Sequence, residues 1–151
     1  MKAENLKIKS IFGLPNNNDL TQLLNLYKTI FEVNTNDYFV DRIQNQTDLV
    51  FLIAYKEEIP VGFKIGYKQN SNTFYSWLGG VLPAYRQQGI AKVLAEHQEA
   101  IVLKKGYQKI ATKSMNQYKA MLIFNLKNGF DITNFYTNEL GEQKIVFEKK
   151  L

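Results

Sequence analysis

The sequence predicts an α+β domain, and three observations predict it. About seven segments show strand-like alternation or short continuous apolar runs, about four carry apolar residues at helical spacing, and the breaks between them fall on Gly, Pro and Asn clusters. At 151 residues and 45% apolar content, the chain is long enough to bury one core, so a single domain spanning 1–151 is expected.

The elements follow in order. Leu6 to Phe12 alternates Leu6, Ile8 and Ile11 with Lys7, Lys9 and Ser10, a short first strand. After the turn Pro15-Asn16-Asn17-Asn18, either Asn18 or Asp19 is placed to cap a helix, with Gln22 three residues beyond Asp19 and Leu20, Leu23, Leu24, Tyr27, Ile30 and Phe31 at helical spacing. A second cap at Asn36 or Asp37 precedes Tyr38, Phe39, Val40 and Ile43, a short helix to about Gln46 that forms a hairpin with the first. Leu49 to Tyr55 reads as a strand, Lys56-Glu57-Glu58 as a turn, and Ile59 to Lys68 as the returning strand with Val61, Phe63, Ile65 and Tyr67 on one face. Asn70-Ser71-Asn72 then turns into a fourth strand, Thr73 to Leu82, whose Gly79-Gly80 pair is expected to mark a bulge or a close backbone approach. A third helix runs from about Gln88 to Lys105 and stops at Gly106. Lys109 to Ser114 is a fifth strand, and Tyr118 to Lys127 a fourth helix ended by Gly129. Phe130 to Thr137 and Gln143 to Lys149 complete the chain as strands joined through residues 138–142.

Composition narrows the function classes. The net charge is +5, but the lysines are scattered and no lysine run exceeds two, which argues against the clustered footprint of a nucleic-acid binder. The positive excess suits a small polyanionic ligand instead. Without cysteine there is neither a disulfide framework, nor a thiolate nucleophile, nor a Cys-ligated metal site. No apolar run approaches a membrane span, and Met1-Lys2-Ala3-Glu4 leads into no signal-peptide core, so a cytoplasmic protein that does not enter membranes is expected.

The segment Gly80-Val81-Leu82-Pro83-Ala84-Tyr85-Arg86-Gln87-Gln88-Gly89-Ile90-Ala91 carries the functional signal. Val81 and Leu82 end an apolar strand, Pro83 stops the ladder for want of an N–H, and helical spacing begins at Ile90. The first N–H groups of that helix lack intrahelical partners and sit at the positive end of its dipole, which makes the turn an anion site.

Arg86-Gln87-Gln88-Gly89-Ile90-Ala91 resembles the acyl-CoA-binding signature of the GCN5-related N-acetyltransferase (GNAT) family, which reads Arg or Gln, two variable residues, Gly, one variable residue, then Gly or Ala. The flanking strand Phe74 to Leu82, the following helix, the segment Lys109 to Ser114 and the helix closing on Lys127-Asn128-Gly129-Phe130 match the order of the family's cofactor half. The resemblance implies a three-layer α/β/α fold around a mixed, mostly antiparallel twisted sheet, splayed between strands four and five. It also implies direct transfer of an acetyl group from acetyl-CoA, as cosubstrate and without a metal, to the amine of a small molecule or peptide, by a monomer or homodimer. Arg86, Gln87, Gln88, Gly89, Ile90 and Ala91 would hold the diphosphate, and Val81 would contact the acyl and pantetheine end through its backbone while its side chain packs in the core.

Two departures from the family pattern bear on catalysis. Four residues before Gly129, where the family usually has a Tyr that protonates the thiolate, stands Asn125, which can hydrogen-bond the cofactor but donate no catalytic proton; its bland alternative is a polar residue on a solvated helix face. Asn116 is the counterpart of an upstream cofactor-binding Asn, or simply a helix cap. Strand four holds no carboxylate to serve as base. Glu32, Tyr75, Tyr118 and Tyr136 remain as catalytic candidates, while His97 falls with Ile90, Leu94 and Ile101 on the expected buried stripe of the third helix. The missing Tyr and Glu keep open a second reading, a non-catalytic acyl-CoA-binding or sensor domain of the same fold.

Overall fold

The structure, a computed structural model, describes residues 5–151; the Met1 to Glu4 start, read above for a leader signal, lies outside the described residues. Seven strands form one sheet: β1 (Leu6–Phe12), β2 (Val50–Lys56), β3 (Ile59–Lys68), β4 (Thr73–Val81), β5 (Lys109–Ser114), β6 (Asp131–Thr137) and β7 (Gln143–Lys150). Their order is β1-β2-β3-β4-β5-β7-β6, and every neighbouring pair is antiparallel except β4 and β5. Helices α1 (Asn17–Phe31) and α2 (Asp37–Gln44) precede β2, α3 (Ile90–Lys104) connects the parallel pair, and α4 (Lys119–Lys127) follows β5.

Strand alternation divides the core between two faces. Phe51 and Ile53 of β2 and Phe63 and Ile65 of β3 pack with Leu23, Leu26 and Tyr27 of α1 and Phe39 and Ile43 of α2. Val50, Leu52 and Ala54, their chain neighbours, pack on the other face with Val61, Phe74 and the α3 residues Ile90, Leu94 and Val102. A sheet buried on both faces explains why β2 reads as an unbroken apolar run. Each fully buried Phe or Leu contributes about 1.5–3 kcal/mol of transfer free energy, so helix placement is set by these faces more than by the caps.

The caps differ from expectation. Asn16 caps α1, its side chain accepting from the Asp19 N–H at 2.8 Å. Asp19 is buried and receives Lys9 of β1 at 2.7 Å, which ties the helix start to the sheet edge. Asn36 precedes α2 but makes no side-chain cap bond, and α2 ends at Gln44, short of Gln46. The N-cap of α4 is Tyr118, also without a side-chain bond, so Asn116 is not a cap.

His97 is exposed, with its Nδ1 against the Val93 carbonyl at 3.1 Å. The buried residues of α3 are Ile90, Leu94, Gln98 and Val102, spaced by four. Each such step overshoots one turn by about 40°, so the buried stripe drifts toward Gln98 and leaves His97 outside. The Gln98 amide nitrogen has no hydrogen-bond partner among the described residues.

The bulge in β4 falls at Trp77, before the glycine pair. Ile65 pairs with Leu78 and Gly66 with Ser76, so Trp77 is the extra residue, and both Trp77 and Leu78 pack on the α1/α2 side. Gly80 is instead a close approach: a Cβ there would lie 2.8 Å from Cγ2 of Ile30 in α1. At Gly66 a Cβ would stand 2.3 Å from Phe74 Cε2, so ring packing excludes any side chain.

Candidate functional site

The site forms where β4 leaves β5. Their parallel pairing covers only Thr73–Lys109, Phe74–Ile110 and Tyr75–Ala111, after which the Thr112 hydroxyl donates to the Ser76 carbonyl at 2.8 Å. Beyond that link β4 continues to Val81 with β3 on one side and, among the described residues, no strand on the other. Val81 is 7% exposed, its side chain packed with Val61, Leu94 and Ile110 in the core on the α3 face.

Past Val81 the chain makes a short 3₁₀ turn, Pro83–Tyr85, and the Arg86 Nε donates back to the Val81 carbonyl at 3.0 Å, fixing the loop to the strand end. Gln87 (φ +63°) and Gly89 (φ +81°) are both left-handed, which folds the turn back over the start of α3. Lys56 donates to Gln88 Oε1 at 2.6 Å and holds the turn against β2. Among the described residues, no backbone N–H from Gln87 through Lys92 donates to a protein acceptor; the ladder of α3 begins with Val93 N–H to the Gly89 carbonyl. A Cβ at Gly89 would meet nothing within 4 Å, so the space over these donors is open. A concave run of free N–H groups at the positive end of a 15-residue helix is a receptor for anionic oxygen. The side chain of Ile90 is buried, so only its N–H serves the turn, while Ala91 and Gln87 are exposed.

The remaining candidates are dispersed. Asn125 is the one buried residue of α4, which overturns the solvated-face alternative, and its carbonyl accepts the Asn128 and Phe130 N–H groups that close the helix. Asn116 is exposed and, with Met115, Gln117, Thr137, Gly141, Glu142 and Gln143, lines a second hollow at the sheet end. Tyr118 is half exposed at the start of α4, and Glu32 is exposed at the α1 C-cap with a left-handed backbone.

Tyr75 and Tyr136 meet through a third residue. Lys113 of β5 stands 5.9 Å from the Tyr75 ring and 5.2 Å from that of Tyr136. Burial pushes the Tyr75 phenol well above the usual tyrosine range, neighbouring Tyr67 adds to this, and the Arg42 charge opposes it. Its hydroxyl is therefore a donor and no base.

Sequence reasoning missed the wall around Tyr75. Tyr67 and Tyr75 pack at 5.5 Å, Tyr67 and Trp77 at 6.3 Å, and Tyr38 and Trp77 at 6.0 Å, with the Arg42 guanidinium over both Tyr38 and Trp77. The period-two recurrence of aromatic residues in facing strands, Tyr67 opposite Tyr75, was the available signal. Lys64, half-buried beside Gly79 on the α3 face, was also missed; desolvation lowers its ammonium to about 8.

This fold and turn define an acyl-CoA-dependent acetyltransferase. The chain belongs to the acetyltransferase (GNAT) family, whose model matches residues 20–130, and is classed with the N-acetyltransferases of EC 2.3.1. Among solved structures it is similar to Naa50 of Arabidopsis thaliana in complex with the bisubstrate analogue CoA-Ac-MVNAL, at 24% identity, 97% of this chain, 99% of that one and a TM-score of 0.75. It is likewise similar to a GNAT acetyltransferase of Elizabethkingia anophelis with acetyl-CoA bound (18% identity, 98% and 99% coverage, TM-score 0.76). The PaiA N-acetyltransferase of Thermoplasma acidophilum in complex with coenzyme A aligns at 22% identity, with 96% and 99% coverage and a TM-score of 0.69. No curated protein sequence matches the chain. Among the described residues no helix is long and apolar enough to cross a membrane.

Proposed function

We propose that residues 1–151 form a single N-acetyltransferase domain that passes an acetyl group directly from acetyl-CoA to the primary amine of a small molecule or peptide. The observation that carries this reading is the run of unengaged N–H groups from Gln87 to Lys92 at the end of a strand whose β5 side is unpaired beyond Ser76. The turn suits a diphosphate, and the free edge of β4 suits the extended, amide-bearing arm that would follow it. Acetyl-CoA supplies the thioester whose C–S bond breaks as the amine nitrogen bonds to the carbonyl carbon.

In this reading Arg86 fixes the loop, the N–H groups of Gln87, Gln88, Gly89, Ile90 and Ala91 bind phosphate oxygens, and Val81 aligns the arm through its backbone. Unpaired β4 N–H groups oppose the charge that develops on the carbonyl oxygen. Asn125, turned inward from α4, orients the sulfur end by hydrogen bonding. Because the phosphate turn lies on the α3 side, the amine enters from the opposite side, beneath α2, where Tyr75 is placed to donate the proton that the leaving thiolate needs. Asn116, on the separate hollow at the sheet end, is given no role in this reading.

Thiol release from acetyl-CoA, measured with a panel of primary amines beside direct binding of the cosubstrate, tests the proposal. Amine-dependent release is expected, with Tyr75→Phe losing rate more than acetyl-CoA affinity. A protein that binds acetyl-CoA but releases no thiol in the presence of any amine of the panel is the binder or sensor of the second reading, and refutes acetyl transfer.

A further inference from the structure

The side of the cleft under α2 carries two cations that form no ion pair among the described residues. Arg42 lies half-buried between rings, its guanidinium carbon 5.1 Å from the Trp77 centroid and 5.4 Å from that of Tyr38. Nη1 donates to the Tyr67 hydroxyl at 2.8 Å and Nη2 to the Tyr38 hydroxyl at 3.0 Å. A guanidinium has five donors; the others find no acceptor among the described residues, and no carboxylate lies within ion-pair distance. An open pocket of about 320 Å³ adjoins it, lined by Tyr38, Asp41, Arg42, Asn45 and Gln46. Asp41 on that wall is exposed and forms no pair with Arg42.

Lys113 stands on the other side of Tyr75, two residues past the last β4–β5 pair, and rests on the Tyr75 and Tyr136 rings with no carboxylate partner among the described residues. Trp77, under Arg42, lies two residues past Tyr75, the last β4 residue paired with β5. Both cations therefore border the mouth of the splay on the acceptor side. Two charges held on rings, where the quadrupole favours a cation but does not neutralise it, leave a positive field. A plain ammonium ion approaching there is repelled, and an amine with its own anionic group is drawn in and oriented.

We infer that Arg42 and Lys113 select the acceptor: a primary amine that also carries a carboxylate or phosphate group. The inference rests on the acetyl-transfer reading above, and its test separates the two. Acetylation is measured with 4-aminobutyrate against 4-aminobutanamide and with O-phosphoethanolamine against ethanolamine, which compares the two anion sources. In at least one pair kcat/KM for the anionic amine is expected to exceed that of its neutral counterpart by about tenfold or more. Lys113 is exposed, so Lys113→Met should fold normally and shrink the ratio severalfold, and Lys113→Glu should invert it. Equal or better use of the neutral amines overturns the acceptor assignment while leaving acetyl transfer standing. Trp77 is the only tryptophan, so its fluorescence gives a second readout that needs no turnover. Titrating the CoA-loaded protein with 4-aminobutyrate and with O-phosphoethanolamine should change its emission saturably, and should do so less in Lys113→Glu. If neither these amines nor the wider panel is turned over, acetyl transfer falls, and a flat Trp77 titration with both probes then overturns this assignment as well.

Discussion

Replacing Gly89 by Asp separates the phosphate-binding role of the turn from its shape. At φ +81° any L-residue is strained, but a Cβ meets no atom within 4 Å, so the cost to the fold is limited to about 1–2 kcal/mol. Asn carries nearly the same shape in the same backbone without the charge, which makes Gly89→Asn the reference. A carboxylate about 5 Å from a bound phosphate oxygen repels it by about 1–3 kcal/mol over effective dielectric constants of roughly 80 down to 20. Acetyl-CoA binding by Gly89→Asp should therefore be about 5–150-fold weaker than by Gly89→Asn. Isothermal titration at low salt measures both, with melting curves to verify folding. At about 0.5 M salt the gap should narrow, because exposed charges are screened within a few ångströms. Affinities of the two folded variants within a factor of two would refute the placing of phosphate over this turn.

The other perturbations are simpler. Gly66→Ala forces a methyl into the Phe74 ring and the Tyr75 carbonyl, at 2.3 and 2.7 Å, and should cost at least about 1–3 kcal/mol in urea unfolding; an unchanged midpoint would contradict the packing. His97→Gln, on the exposed side of α3, should alter stability by less than about 0.5 kcal/mol, and a large loss would restore a buried role. Lys64 binds its proton less tightly folded than unfolded, so between about 8 and 10.5 the unfolded chain holds more protons and stability rises with pH. Lys64→Met should abolish that rise and be more stable at neutral pH; denaturation midpoints across pH check the sign. Asn125→Ala should weaken acetyl-CoA binding with no change in the apparent pKa values of turnover, since no titrating group is lost.

Periodicity was legible where one rule decided the outcome. β1, with its lysine alternation, and β3 and β5, bounded by turn residues, have the limits read from the sequence. Caps were less so, because Asn16, Asn18 and Asp19 are all competent and only Lys9, distant in the chain, decides that Asp19 is buried. The α3 stripe failed at His97 because alternating steps of four and three were followed straight along the helix while the buried set steps by four throughout, and Gln98 is an improbable core residue on composition alone. The phosphate turn was visible because its donors are backbone atoms placed by a local strand-to-helix break. The cation-and-ring wall was not, since Arg42, Tyr67, Trp77 and Lys113 come from four separate elements that only the sheet order brings together.

The parting of β4 from β5 also bears on solubility. A strand whose N–H and C=O groups lack a neighbour is normally an invitation to another chain, and the outer strand β1 guards its own edge with Lys7 and Lys9. Upper β4 has no such guard and includes Leu78, Gly79 and Gly80. Its defence is position: the opening lies inside the sheet, joined below at Tyr75–Ala111, so an invading strand would have to enter a wedge that closes on it. The chain can thus keep an unpaired, uncharged stretch of backbone available without exposing a docking rail to its own copies.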